Sequence, residues 1–254
     1  SRGIDWLKNY QTLQIAKLRH AEMAPKADPW KSHADNMDAC VFQVLADVGV
    51  MDHAMRDYLY RDRDHLSIYG KALYGLGLQC RGEEEKLSMI MRNLSQYVVQ
   101  DEENQSAWLN MGNGGYWWNW YGSEIEAHAA YLRLLCTVEP KGQLASRLVK
   151  YLLNNRKHAT YWSSTRDTAL CVEAFSAYLS ASGEDRPDMT VTLAYDGQMR
   201  KHVRITPDTL FTCDNTFLLT GQEIDGGKRK LVISRTGNGP LYYTAYLSTF
   251  TLED

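Results

Sequence analysis

The stretch Ile68-Tyr69-Gly70-Lys71-Ala72-Leu73-Tyr74-Gly75-Leu76 decides the architecture. Ile68, Ala72, Leu73 and Leu76 recur at the 3.6-residue period of a helix. Within it, Tyr69-Gly70-Lys71-Ala72 is rich in small residues, which let a second helix come close. Reading outward, the same periodic face returns on both sides. Met37, Val41, Val44, Leu45 and Val48 precede it, followed by Met51, Ala54, Met55, Tyr58 and Leu59. Downstream come Leu87, Ile90, Met91 and Leu94, then Ile125, Ala129, Leu132 and Leu135. Leu144, Leu148, Tyr151 and Leu152 form the next face, and Leu170, Ala174, Ala177 and Tyr178 the last. With a first helix through Trp6, Tyr10 and Leu13, the pattern predicts eight helices.

Their ends are marked. Ser123-x-x-Glu126 and Ser164-x-x-Asp167 are capping-box patterns, in which a hydroxyl and a carboxylate satisfy free N–H groups at a helix start. Gly49, Gly82, Pro140 and Gly183 stand where helices should stop. Small-residue helices (Tyr69-Gly70-Lys71-Ala72, Ala127-His128-Ala129-Ala130, Thr168-Ala169-Leu170) alternate with more charged ones. They recur roughly 40 to 57 positions apart, a spacing found in helical-hairpin arrays. An inner ring of close-packed helices wrapped by an outer amphipathic ring fits this alternation, as does a helical solenoid. The aromatic segment Tyr116-Trp117-Trp118-Asn119-Trp120-Tyr121 between two helices favours the ring, an α/α toroid whose long loops gather at one end.

From Met189 the period drops to two. Val191, Leu193 and Tyr195 alternate with polar residues up to a turn at Asp196-Gly197. Val203 and Ile205, Phe217 and Leu219, Leu231 and Ile233, and Tyr243, Ala245 and Leu247 repeat the alternation, separated by Asp225-Gly226-Gly227 and Gly237-Asn238-Gly239-Pro240. About five strands are expected, too few for a whole β-sandwich. The fold class is therefore mainly α with a β tail: an incomplete α/α toroid over residues 1–186, then an antiparallel β-sandwich portion over 187–254.

Composition removes several functions. The chain has 254 residues, 44% of them hydrophobic, and a formal net charge of −3, so it can bury a core and carries no basic footprint for nucleic acid. No apolar run approaches the ~18 residues that span a bilayer. The N-terminus is no signal peptide, so any targeting sequence is expected outside this stretch. Cys40, Cys80, Cys136, Cys171 and Cys213 are dispersed, without a CxxC pair, and most lie on apolar helix faces. They read as buried free thiols rather than a disulfide framework or a zinc site.

Two stretches resemble a known family. Tyr161-Trp162-Ser163-Ser164-Thr165-Arg166-Asp167-Thr168-Ala169-Leu170 is similar to the W/F-S-S-T-x-D-T segment opening the last helix of the thioester-containing domain in alpha-2-macroglobulins and complement components. Val191-Thr192-Leu193 and Gly237-Asn238-Gly239-Pro240-Leu241-Tyr242-Tyr243 follow, resembling the second part of a CUB domain. Tyr58-Leu59-Tyr60-Arg61-Asp62-Arg63 and Leu66-Ser67-Ile68-Tyr69-Gly70-Lys71-Ala72 resemble the bacterial branch. The resemblance implies an α/α toroid and a parent protein that inhibits endopeptidases by entrapment. It also implies export, to the periplasm or beyond, with proteases and the parent's remaining domains as partners.

The family's covalent chemistry is a Cys–Gln thioester in a C-x-E-Q motif, and the chain does not hold one. Cys171-Val172-Glu173-Ala174 matches three positions and lacks the glutamine, and Cys80 and Cys136 also fail. In some relatives a downstream histidine attacks the thioester. His20 and His33 lie in the corresponding region and read as solvated surface histidines. No catalytic, thioester, cofactor-binding or metal-binding residue is therefore assigned, no cofactor is expected, and the chain is expected not to be an enzyme.

Two other classes compete, since one fold hosts many functions. In a carbohydrate-active α/α toroid, a glycosidase or lyase, the aromatic segment 116–121 would stack sugars beside Asp101, Glu102 or Glu103 as one of two carboxylates. Against it, the tryptophans also read as packing a long loop onto helix ends. Asp62-Arg63-Asp64 is too short for a cyclase's Asp-rich motif, and the seven histidines show no HExxH. A plain helical-repeat scaffold should begin with a polar cap, whereas Trp6, Tyr10 and Leu13 look as if more protein should cover them. A β tail has no role there either, and both features read as excision from a larger protein.

Overall fold

The computed structural model describes residues 2–24, 30–112, 123–140, 142–158, 161–221, 224, 227–241, 243 and 245–248. It consists of two compact units, Ser1–Ala181 and Ser182–Asp254. The first is helical. Its eight α-helices among the described residues are α1 Arg2–Met23, α2 Asn36–Asp47, α3 His53–Arg61, α4 Ile68–Gln79, α5 Glu84–Ser95, α6 Glu124–Val138, α7 Gln143–Asn154 and α8 Thr165–Ser182. Helix α4 packs on both α2 and α6, while α3, α5 and α7 each pack on the inner helix preceding them, and α1 packs on α2 and α3. The result is a two-layer arc with α2, α4, α6 and α8 inside: an incomplete α/α toroid.

Small residues set the spacing of the inner row. A Cβ on Gly75 would stand 2.6 Å from Leu134 of α6, and one on Gly77 2.7 Å from the Phe42 ring of α2. Hydrogen at these positions lets α4 lie close to both neighbours without displacing the Phe42 ring or the end of the Leu134 side chain. Tyr74, Leu78, Phe42, Leu132, Leu134 and Tyr131 are almost wholly buried there, in the densest part of the core. The predicted faces of α4 to α7 agree with the buried residues. Gly49, Gly82 and Gly183 end their helices with φ of 87°, 67° and 74°, a region open to glycine.

Helix α1 differs from its expectation. Ile15, Leu18 and Ala21, with Gln11 and Gln14, face the core, while Trp6 and Leu13 are 63% and 62% exposed. The buried stripe lies roughly a third of a turn from the predicted one, because the three large side chains that suggested a face are not the ones α2 and α3 receive. Trp6 instead stacks on Tyr10 at 5.6 Å. Met51 also precedes α3, where Asp52 caps the free Ala54 and Met55 N–H groups.

A hairpin of strands β1 Val98–Asp101 and β2 Ser106–Leu109 lies between α5 and α6, where the sequence predicted none. Its strands are four residues each, and its connection contains no glycine. Gln105 takes the left-handed conformation there, at φ 50°.

The second unit is one open antiparallel sheet in the order β4-β3-β5, with β3 Asp188–Tyr195, β4 Gln198–Ile205 and β5 Leu231–Asn238. Asp196 and Gly197, at φ 48° and 79°, make the tight β3–β4 turn. Register pairs Val191 with Val203 and Leu193 with Ile233, so Val191, Leu193, Val203, Ile205 and Ile233 share a face. Phe217, Leu219, Tyr243, Ala245 and Leu247 belong to no strand. Alternation produces a strand only where a neighbour takes up its N–H and C=O groups, and among the described residues no strand pairs with these segments.

Candidate functional site

The inner helices begin side by side. Asn36, first in α2, accepts the N–H of Ser67, the cap of α4, at 2.9 Å. Ser123, the cap of α6, accepts the Glu126 N–H at 3.1 Å and donates its hydroxyl to Asp167 in the first turn of α8. One cluster then spans all four helices. Arg166 Nε lies 2.9 Å from Glu126 Oε1, and its guanidinium also bonds Tyr69 and acts on the Cys40 thiol. Burial pushes Glu126 above the usual carboxylate range against the pull of Arg166, and its Oε2 has no hydrogen-bond partner. Burial likewise raises Tyr69 and Cys40.

Between the same helices lies a cavity of about 310 Å³. Cys40, Tyr69, Leu73, Ala129, Ala130 and Leu170 are among its walls, with Asp47, Arg133 and Glu173 beside them. Arg133 is paired with Glu173 at 3.0 Å. Nucleophilic chemistry needs a thiolate and a base in reach, and the one thiol here is held protonated by burial. Among the described residues lining the cavity, no base is paired with Cys40.

The remaining thiols differ in burial. Cys171, in the partial C-x-E match, is fully buried on α8 with its thiol pushed up to about 12 by burial. Burial raises Cys136 to about 11. Cys80 corrects the expectation of burial: it sits exposed at the end of α4, its Sγ 3.3 Å from Asp47 Oδ1. All five cysteines are free.

The acids considered for sugar chemistry occupy the β1–β2 turn. Asp101 accepts the Asn104 N–H at 3.0 Å and its amide at 2.7 Å, and these bonds hold it below the usual range. Glu102 is held low by Arg147, which also bonds Gln100 and Gln105 and so ties the hairpin to α7. A general acid needs a raised pKa, so Asp101 and Glu102 are unsuited to that part. Glu103 is exposed in the same turn. The segment 116–121 lies outside the described residues.

Burial pushes Asp62 up, but the Arg61 guanidinium and the Ala34 N–H, at 2.7 Å, hold it low overall. His33 lies 3.4 Å from Asp62 Oδ1 and stacks on His65 at 4.1 Å, so it is more engaged than a solvated surface residue. His20 is exposed on α1.

Sequence reasoning passed over His128, which it grouped with small residues. This fully buried side chain on α6 accepts the Leu109 N–H at Nε2, 2.8 Å away. Nε2 therefore carries no proton, and Nδ1–H donates to the Glu124 carbonyl at 2.7 Å. The Tyr151 ring stacks on it at 4.7 Å and sends its hydroxyl to Glu124 Oε1 at 2.6 Å. A histidine four residues into a small-residue helix, just after a long connection, was the available signal.

Among the described residues, no three His, Cys, Asp or Glu are grouped to hold a metal ion, and no helix is long and apolar enough to cross a membrane. The arc and its sheet define a class of protein, an incomplete α/α toroid followed by an open antiparallel sheet. Residues 37–178, from α2 to α8, match the A-macroglobulin TED domain, and the chain belongs to that family. The alpha-2-macroglobulin of Thermotoga maritima is 28% identical over 162 residues, covering 58% of this chain and 10% of that protein. The chain thus spans about a tenth of the length of this curated relative. The family's domain is non-catalytic, and the reading of this chain as a non-enzymatic module rests on that membership.

Proposed function

We propose that the chain is a non-catalytic part of an alpha-2-macroglobulin-like endopeptidase inhibitor, a larger protein that traps proteases. Residues 1–186 would be the thioester-domain-like helices and 187–254 the CUB-like β segment. The observation that carries the reading is the family match, which runs through seven consecutive helices from α2 to α8. The relative is named alpha-2-macroglobulin, and the inhibitor class is what the resemblance to that family implies. In this reading the chain contributes packing and a docking frame to the parent, without a thioester of its own. Its thiols Cys136 and Cys171 are buried and hold their protons, which fits that role. The proposed location is periplasmic or secreted, and the proposed partners are proteases, engaged through the parent, and the parent's other domains.

The test compares the chain with its parent. The chain alone should leave trypsin's digestion of a protein substrate unchanged, and methylamine should add no mass to it. The parent should suppress digestion of the large substrate while a small chromogenic peptide is still cleaved, as a steric trap requires. A methylamine adduct on the chain alone, or a parent without effect on the protein substrate, would overturn the reading.

A further inference from the structure

The two bonds of His128 join residues on either side of one connection. Leu109 is the last residue of β2, Glu124 the first of α6, and the chain between them carries the aromatic-rich stretch 116–121. One buried imidazole takes the N–H of the first and gives its own N–H to the carbonyl of the second. We propose that His128 is an acid-labile staple that fixes β2 to the start of α6 and releases Leu109 when it is protonated.

The geometry supplies the mechanism. An imidazolium has a donor on both nitrogens, so a proton at Nε2 confronts the Leu109 N–H with another N–H. The staple cannot bind this proton and keep its first bond. Among the described residues, Glu124 on the same helix is the charged group acting on His128, and Tyr151 from α7 is the titratable ring stacked on it. Strand β2 contributes Leu109, which does not titrate. Burial holds His128 below the ordinary imidazole value of 6.5, against the bonds and charge of Glu124. The sign follows: the opened state binds a proton more readily than the closed one. The staple's contribution is complete above 6.5 and is lost as pH falls from there through the lower folded value.

Amide hydrogen exchange on the whole chain from pH 7.5 downward tests the proposal. The protection of Leu109 should fall about tenfold per pH unit below 6.5, beyond the intrinsic pH dependence of exchange. Leu78 and Leu134, in the helical core, open only with the whole unit and should stay better protected than Leu109 at every pH. His128→Gln offers an oxygen to the Leu109 N–H but does not titrate, and its Leu109 protection should be flat. If that variant does not fold, the wild-type chain still decides. The His128 ring resonances and the Leu109 amide should then titrate with one midpoint. Leu109 protection equal to that of the core amides at every pH, or a His128 titration that leaves the Leu109 amide unmoved, would overturn the staple.

Discussion

The helical unit and the sheet use hydrophobic residues in opposite ways. In the arc, α2, α4 and α6 each pack against more than one neighbour, and residues such as Tyr74, Leu134 and Leu148 have no accessible surface. In the sheet, Pro187 and Met189 are the buried residues among those described; Val191, Leu193, Val203, Ile205 and Ile233 are half-buried at most, and Leu231 is 44% exposed. Both regions have regular hydrogen bonding, so backbone pairing does not distinguish them. The second layer does. A helix row or a sheet becomes a stable core only when another layer covers its apolar face, and a three-stranded sheet with a half-covered face sits at the margin.

The largest effect expected from this contrast is in α4. Tyr74 is fully buried, packs against Phe42 at 5.6 Å and donates its hydroxyl to the Arg56 carbonyl at 2.8 Å. Tyr74→Ala should cost the helical unit about 3–5 kcal/mol, read from the shift in its urea midpoint. A loss below about 1 kcal/mol would mean that the core around α4 is loose, and the contrast with the sheet would disappear.

A smaller effect tests close approach rather than volume. Gly77→Ala places a methyl 2.7 Å from the Phe42 ring, and overpacking of that kind costs about 1–3 kcal/mol. The helix gains about 1 kcal/mol in propensity, so a net loss near 1 kcal/mol is expected. Gly3→Ala, where a Cβ meets nothing within 4 Å, should be neutral or stabilising. If both substitutions stabilise equally, small residues are not what sets the distance between α2 and α4.

The difference between the regions also explains what could be read from the residues alone. Periodicity located α4 to α7 because the apolar residues that mark their faces are the ones their neighbours bury, so pattern and burial coincide. It misplaced the face of α1 because the large side chains Trp6 and Leu13, which suggested a face, are not the ones that α2 and α3 receive. The β1–β2 hairpin was missed because four-residue strands and a glycine-free turn leave no local signature; its anchor, Arg147, is 42 to 47 positions away. In the β tail, Phe217 and Leu247 alternate as convincingly as Val191, but among the described residues no strand pairs with them. At the site, the cluster of Cys40, Tyr69, Glu126 and Arg166 joins four helices, which no spacing in one dimension reveals. His128 was visible as a residue, but its two backbone partners were not.

The smallest effect falls on the sheet and depends on context. Leu193, in the middle of β3, lies opposite Lys201 and Ile233 on the half-covered face. Removing a side chain that still touches water forfeits only part of its transfer free energy, which for a fully buried leucine is about 1.5–3 kcal/mol. Leu193→Ala should therefore cost this chain about 1 kcal/mol or less, measured by exchange of the β3 amides. If the sheet is half of a sandwich completed by another part of a longer parent, the same substitution there meets a packed layer. Its cost should then rise to about 2–5 kcal/mol, the range for a core leucine. Equal costs in both settings would show that nothing covers this face in the parent. A loss of several kcal/mol already in the isolated chain would show that the face is covered within it, and the contrast between arc and sheet would have to be abandoned.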